Sequence, residues 1–232
     1  MKKLLKFLLI KLPLAFIAFS LVAVFWFKWL PVRVTPLMVR RSIEYRSDKE
    51  FHTHKKWVPL EKISPNMVKA VIASEDNRFG THNGFELEIL KEVVEEHIKE
   101  GKKLRGCSTI SQQTAKNVFT WSSDTYVRKA FEAWWTFLIE TIWGKERIME
   151  VYLNVIETGK GIYGVQAAAK AYYGKDASNL NLAESCMIAV CLPNPISRHP
   201  DAPTSYLRKR QNAIISLSKK IAYPEWVGKK KD

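Results

Sequence analysis

Between Leu12 and Phe27 the chain carries no charged residue. If Lys6, Lys11 and Lys28 keep their ammonium groups in water and lay their stems along apolar surface, apolar character runs from Leu4 to Leu30. A helix of that length matches a bilayer hydrocarbon core of ~30 Å, so one spanning helix is expected ahead of whatever else folds. Trp26 and Trp29 stand at one end of the run, where amphipathic rings favour the interface. Lys2, Lys3, Lys6 and Lys11 crowd the other end, which predicts that this end stays in the cytoplasm. No clean small-x-small site follows the run, so a retained anchor is expected rather than a cleaved signal peptide. The expected placement is a bacterial inner membrane crossed once, with the rest of the chain on the periplasmic side.

That remainder, about 200 residues, is long enough for one domain with a real core. The net charge of +14 is strongly basic, with clusters near 99–105, 208–210 and 229–231. Such a charge often marks nucleic-acid binding. An exported, tethered chain does not meet nucleic acid, so anionic lipid head groups and phosphorylated substrates are the expected partners. Three cysteines, Cys107, Cys186 and Cys191, do not make a disulfide framework, and free buried thiols are expected. No zinc-type cluster is apparent.

The chain divides into a cytoplasmic tail (1–11), the spanning helix (12–30), a membrane-proximal stalk (31–57), one domain (58–222) and a basic tail (223–232). The stalk is suggested by Pro31 and Pro36, mixed charge and no sustained period, with Pro59 just beyond it. After it, helix follows helix: about 65–74, 86–100, 108–119, a long one from an Asp124 N-cap to Trp143, then 145–156, 163–173, 182–192 and 204–221. Gly101 and Gly144 are stop signals, Asn181 with Glu184 forms a capping-box pattern, and Pro193 ends the helix before it. Few segments alternate with period two, so the domain is expected to be mainly α.

Three blocks hold the chemistry. In the first, Ser64 can cap a helix begun by Pro65, with Met67, Val68, Val71 and Ile72 on its apolar face. Glu75 and Asp76 stand four residues after Val71 and Ile72 and continue that face inward. A carboxylate half-sunk in an apolar wall loses solvation, its pKa rises, and it suits general base or acid work; the plainer alternative is a wet helix end. His82 follows the pair and can hydrogen-bond within its loop. The second block runs from Arg105 to Asn117. Small residues at a helix start admit a ligand near free N–H groups, and Ser108, Thr109, Gln112, Gln113, Lys116 and Asn117 supply hydrogen-bonding groups; the plainer alternative is a polar surface helix. In the third, Arg128, Lys129 and Glu132 lie on a helix made core-facing by Val127, Phe131, Trp134, Trp135 and Leu138. They are either a surface ion pair or a pyrophosphate holder, with or without a metal.

Together these blocks resemble the peptidoglycan glycosyltransferases of glycosyltransferase family fifty-one. The E-D-x-x-F-x-x-H-x-G block stands as Glu75, Asp76, Phe79, His82 and Gly84; the G-x-S-T-I-x-Q-Q-x-x-K-N block as Gly106 to Asn117; and R-K-x-x-E as Arg128, Lys129 and Glu132. Ile148, Glu150, Tyr152, Leu153 and Asn154 match a fourth block, and Gly161 to Val165 with Ala167–Ala169 and Tyr173-Gly174-Lys175 a fifth. The match covers roughly residues 58–200 in the family's order, and no transpeptidase domain is expected after it. Two departures stand out: Cys107 replaces a usual Gly or Ala, and Asp124 replaces an Arg that in many members helps hold lipid phosphates.

The resemblance implies a lysozyme-like, two-lobed helical fold, with residues 85–105 as a mobile membrane-facing lobe. It implies polymerisation of lipid II into glycan strands by inverting transfer, releasing undecaprenyl pyrophosphate. Glu75 is then the general base and Glu132 the second catalytic carboxylate, which orients cations or holds a divalent ion. Asp76, Arg78, Phe79, Ser108, Thr109, Gln112, Gln113, Lys116, Asn117, Arg128 and Lys129 are implied to bind substrate. Mg2+ or Mn2+ is the candidate metal, without assigned ligands, and no organic cofactor is implied. Lipid II, nascent peptidoglycan, the membrane and division or wall-synthesis proteins are the implied partners. The rival readings are a lysozyme-like glycan-cleaving enzyme and a non-catalytic scaffold of the wall-synthesis machinery.

Overall fold

A computed structural model describes residues 7–100, 108–121, 123 and 125–228. A π-helical turn, Phe7–Lys11, leads into α1 (Leu12–Trp29). The stretch Leu9–Trp29 has a mean hydropathy of 2.2 and is long and apolar enough to cross a membrane. The helices that follow are α2 (Pro36–Glu44), α3 (Pro65–Glu75), α4 (Leu87–Glu100), α5 (Ile110–Phe119), α6 (Tyr126–Ile142), α7 (Lys145–Val155), α8 (Val165–Tyr173), α9 (Leu182–Cys191) and α10 (Ser205–Ser218). The mainly α architecture expected from the periodicity is the one found.

The core has two joined halves. In one, α9 packs between α3 and α10; seven of its ten residues are buried, Cys186 and Cys191 among them as free thiols. In the other, α5, α6 and α7 pack together, with Phe119 stacked on Trp135 at 4.2 Å between ring centroids. The first helix does not stand apart from this second half. Phe16 meets Phe131 edge-on, Trp134 Nε1 donates to Ser20 Oγ (3.1 Å), and Trp143 Nε1 donates to the Val24 carbonyl (2.7 Å). Arg147 on α7 donates to the carbonyls of Phe27 and Leu30, which closes the end of α1 onto the domain.

Three features depart from the sequence reading. Residues 31–57, expected as a stalk, hold α2 and a short strand and dock on the domain. Arg41 grips Glu157 through two hydrogen bonds (3.0 and 3.1 Å), and Asn154 pins the backbone of Val58 through its N–H and C=O. The strand β1 (His54–Lys55) runs parallel to β3 (Ile162–Tyr163), which pairs antiparallel with β2 (Glu157–Gly159). At the turn, Gly161 has φ of +73°, and a Cβ there would come within 2.4 Å of the His52 carbonyl. The long helix α6 is capped by Thr125, whose Oγ1 accepts the Arg128 N–H, and not by Asp124, which lies outside the described residues.

Candidate active site

The site begins where α3 ends. Ser64 caps the helix and also donates to the Leu180 carbonyl, Pro65 fills its first turn, and Met67, Val68, Val71 and Ile72 are buried. That stripe fixes the rotation of the helix, so its last residue, Glu75, emerges at the edge of the core, partly exposed. One carboxylate oxygen accepts from Ser74 Oγ (3.1 Å) and the other from Gln113 Nε2 on α5 (3.1 Å). Gln113 Oε1 in turn accepts from the hydroxyl of Tyr152, fully buried on α7 (3.2 Å). Burial pushes the Glu75 pKa above the ordinary carboxylate range, and the charge of Asp76 adds to the rise. The Gln113 and Ser74 hydrogen bonds and the positive charge of Arg210 oppose it without reversing it. Burial also raises the Tyr152 phenol, helped by the charges of Glu75 and Asp76, so this hydroxyl remains a neutral donor.

Asp76, the next residue, is bound up on every side. Its Oδ2 accepts the Ile110 N–H at the start of α5 (3.0 Å), and both oxygens face His82 Nε2 (3.0 and 2.9 Å). His82 Nδ1 accepts the Gly84 N–H (2.9 Å), which leaves Nε2 as the protonated nitrogen that donates to Asp76. Gly84 has φ of +89°, a conformation suited to glycine, and its carbonyl accepts from Thr109 Oγ1 (2.7 Å). Thr109 and Gln112 close a reciprocal capping box at the start of α5. Asp76, His82, Gly84, Thr109 and Gln112 therefore form one buckle that fixes the end of α3 against the start of α5.

The third block lies on the first turns of α6. Glu132 is 1% exposed; one of its oxygens accepts from the Arg128 guanidinium and the other from the Lys129 ammonium. Arg128 is buried and its Nε also donates to the Ser123 carbonyl. Lys129 is half-exposed and its Nζ comes within 3.4 Å of Ser108 Oγ. A cation held by a buried carboxylate beneath it, beside the Ser108 hydroxyl, can meet an anion from the open side.

The expected substrate residues thus separate. Glu75, Gln113, Ser108, Lys116 and Lys129 reach open space, and Arg78 is exposed and paired with Glu88 (2.5 Å). Phe79 is completely buried, with the Lys145 ammonium 4.7 Å from its ring centroid, so the expectation that it touches substrate is corrected to packing beneath the loop. Thr109 and Gln112 are likewise spent on the helix cap. Asn117 is buried and lines an opening together with Lys116, Arg41 and Glu157. Residues 101–107, with Arg105, Gly106 and Cys107, lie outside the described residues. Sequence reasoning gave no role to Tyr152, Ser74 or Arg210; Tyr152 lay inside a matched block, four residues after Ile148 and thus on the same buried face, and that is the signal that marks it.

As a metal cage the site fits poorly. Among the described residues, Asp76, His82 and Glu86 have ligand atoms within 4.8 Å of one another. Asp76 and His82 spend those atoms on each other, and both oxygens of Glu132 are taken by cations.

Comparison with known proteins follows this geometry. The sequence model of the family described as Transglycosylase matches residues 41–219, well over half of the chain. The chain belongs to the transglycosylase family. A protein of Bacteroides thetaiotaomicron named biosynthetic peptidoglycan transglycosylase is 51% identical over 203 residues, covering 87% of this chain and 82% of the relative. Transglycosylases of the same name from Caulobacter vibrioides and Bdellovibrio bacteriovorus are each 47% identical, covering 92% and 90% of this chain and 90% and 83% of theirs. The family match opens at residue 41, the arginine that binds Glu157, so it takes in much of the segment expected as a stalk.

Proposed function

We propose that this transglycosylase is a peptidoglycan glycosyltransferase of the bacterial inner membrane that polymerises lipid II, with Glu75 as its base. The observation that supports this most is the setting of Glu75: a partly exposed carboxylate held by two neutral donors, its pKa raised by burial. A sugar hydroxyl is a poor nucleophile, and a positioned base supplies ~10²–10⁴-fold. Glu75 removes the proton of the acceptor 4-hydroxyl as that oxygen bonds to the donor anomeric carbon from the face opposite the leaving group, which inverts the centre. The bond from that carbon to the pyrophosphate oxygen breaks, and its electron pair leaves on undecaprenyl pyrophosphate. Gln113 and Tyr152 hold Glu75 in line, and Asp76, through its buckle, positions it.

The leaving group is already an anion and needs charge neutralisation rather than a proton. Lys129 and Lys116 meet it directly, Arg128 supports it from below, and Glu132 orients Arg128 and Lys129. Ser108, Asn117 and Arg78 complete the polar lining, while Phe79, Thr109 and Gln112 act by holding the loop. Mg2+ or Mn2+ belongs with the substrate phosphates rather than in a protein cage, in keeping with how such ions are usually bound. The anchor serves the same chemistry, since donor and acceptor are confined to the bilayer surface. The N-terminus is cytoplasmic and the catalytic domain periplasmic. The exposed Leu87 and Ile98 of α4 support a membrane-facing role for this helix.

The test is to supply the purified full-length protein with lipid-linked disaccharide precursor and divalent cation and resolve the products on a gel. A ladder of long glycan is expected. Shortening of pre-formed glycan without polymer points to a cleaving enzyme, and no change in either points to a scaffold.

A further inference from the structure

Helix α7 begins against an electrostatic preference. Its first residue is Lys145, preceded by Gly144, whose φ is +79° and which offers no side-chain cap. The N–H groups at a helix start carry partial positive charge, so a lysine there is disfavoured unless its charge is used elsewhere. Here it is used in three directions. The largely buried Lys145 ammonium lies 2.6 Å from Glu140 Oε1 on α6, 4.7 Å from the centre of the Phe79 ring and 3.4 Å from His82 Nδ1. The same Glu140 oxygen accepts from Ser111 Oγ on α5. The loop that carries His82 sits directly on this part of α6: a Cβ on Gly84 would come within 2.8 Å of Thr136 and 2.9 Å of Glu140.

An ammonium has no lone pair, so its approach to Nδ1 suits that nitrogen as an acceptor. Lys145 and the Gly84 N–H (2.9 Å) converge on Nδ1, which keeps the ring proton on Nε2, toward Asp76. Seven residues further along α7, on the same face, Tyr152 donates to Gln113, and Gln113 donates to Glu75. One helix therefore backs both neighbouring carboxylates, Asp76 through Lys145 and His82, and Glu75 through Tyr152 and Gln113. We propose that Lys145, held by Glu140, is a positioning residue for glycan transfer: it keeps the His82 proton on Nε2 and thereby fixes Asp76 and the adjoining Glu75. The proposal rests on the assignment of Glu75 as the base.

The test compares full-length wild type, Lys145→Met, the double variant Lys145→Met/Glu140→Gln and Lys220→Met in detergent micelles. Lys145→Met strands the Glu140 carboxylate and should melt earlier, whereas the double variant removes both charges and should regain most of that loss. A purely structural lysine predicts that activity returns with stability. The positioning role predicts that it does not: kcat of the double variant should stay about tenfold or more below wild type, with KM within about twofold. Lys220→Met, at an exposed site, controls for the loss of one positive charge and should keep the wild-type rate. Nitrogen NMR of histidine-labelled protein reads the proton itself, with the His82 signals assigned by their loss in His82→Gln. Wild type should show Nε2 protonated and Nδ1 bare, and that pattern should be lost in whichever Lys145 variant is folded. A double variant that polymerises within about twofold of wild type, or an equal loss in Lys220→Met, overturns the positioning role. An unchanged His82 pattern overturns the proton lock. Wild type that makes no polymer counts against the transferase reading, and the His82 signals still decide the lock.

Discussion

Glu75 and Glu132 are both carboxylates sunk into the protein, the first partly and the second almost wholly, yet their surroundings are opposite. Glu75 is held by an amide and a hydroxyl, both neutral, and burial lifts its pKa. Glu132 is clasped by two cations. A group held by neutral donors keeps an exchangeable proton, and a group held by cations organises charge instead. On the proposed assignment, it is the partners of each carboxylate rather than its burial that divide acid–base work from electrostatic work.

The largest expected effect breaks the Glu75 side of that contrast. Glu75→Gln should lower polymer formation by ~10²–10⁴-fold, read as initial rate on a glycan gel. It should also stabilise the protein. A carboxyl whose folded pKa lies above its unfolded value binds more protons when folded, so its contribution to stability is greatest in acid and falls as pH rises through the folded pKa. Above its folded pKa the charged Glu75 therefore costs stability, and the glutamine should recover about 0.5–2 kcal/mol in a thermal melt.

Glu132→Gln should move stability the other way. It leaves the buried Arg128 without its counter-charge, so a loss of about 3–5 kcal/mol is expected in urea unfolding, together with weaker binding of donor. Opposite signs at the two positions sharpen the comparison, and equal signs break it. Asp76→Asn comes next. It unmakes the buckle with Ile110 and His82 and should cost about 1–3 kcal/mol, with activity falling because Glu75 is no longer positioned. The smallest effect is expected at the far end of α3. Ser64→Ala removes the cap and should cost about 1 kcal/mol with a specific rate near wild type.

How much of this could be read in advance depended on how local the cause was. The start of α3, its buried stripe and the emergence of Glu75 follow from Ser64, Pro65 and a period of three to four residues, all within a dozen positions. The capping box of Asn181 and Glu184 was legible for the same reason. The sheet was not, because strands of two and three residues have no period to detect and β1 meets its partner across about a hundred residues of chain. Residues 31–57 read as a stalk because their support, the grip of Arg41 on Glu157, comes from 116 residues away. At the site, residue types pointed to the chemistry but not to who spends hydrogen bonds on whom. Thr109, Gln112 and Phe79 looked like ligand contacts and are structural, whereas Tyr152 stands behind Gln113 and Glu75.

The most direct test is the pH dependence of kcat/KM for the wild-type enzyme on lipid-linked precursor. The base must be deprotonated, so activity should fall on the acid side through the pKa of Glu75, at a midpoint clearly above the ordinary glutamate value of ~4.3. The residual activity of Glu75→Gln should lack that limb. An acid limb that survives unchanged in Glu75→Gln, or a variant that polymerises at near wild-type rate, would contradict the assignment of Glu75 as the base.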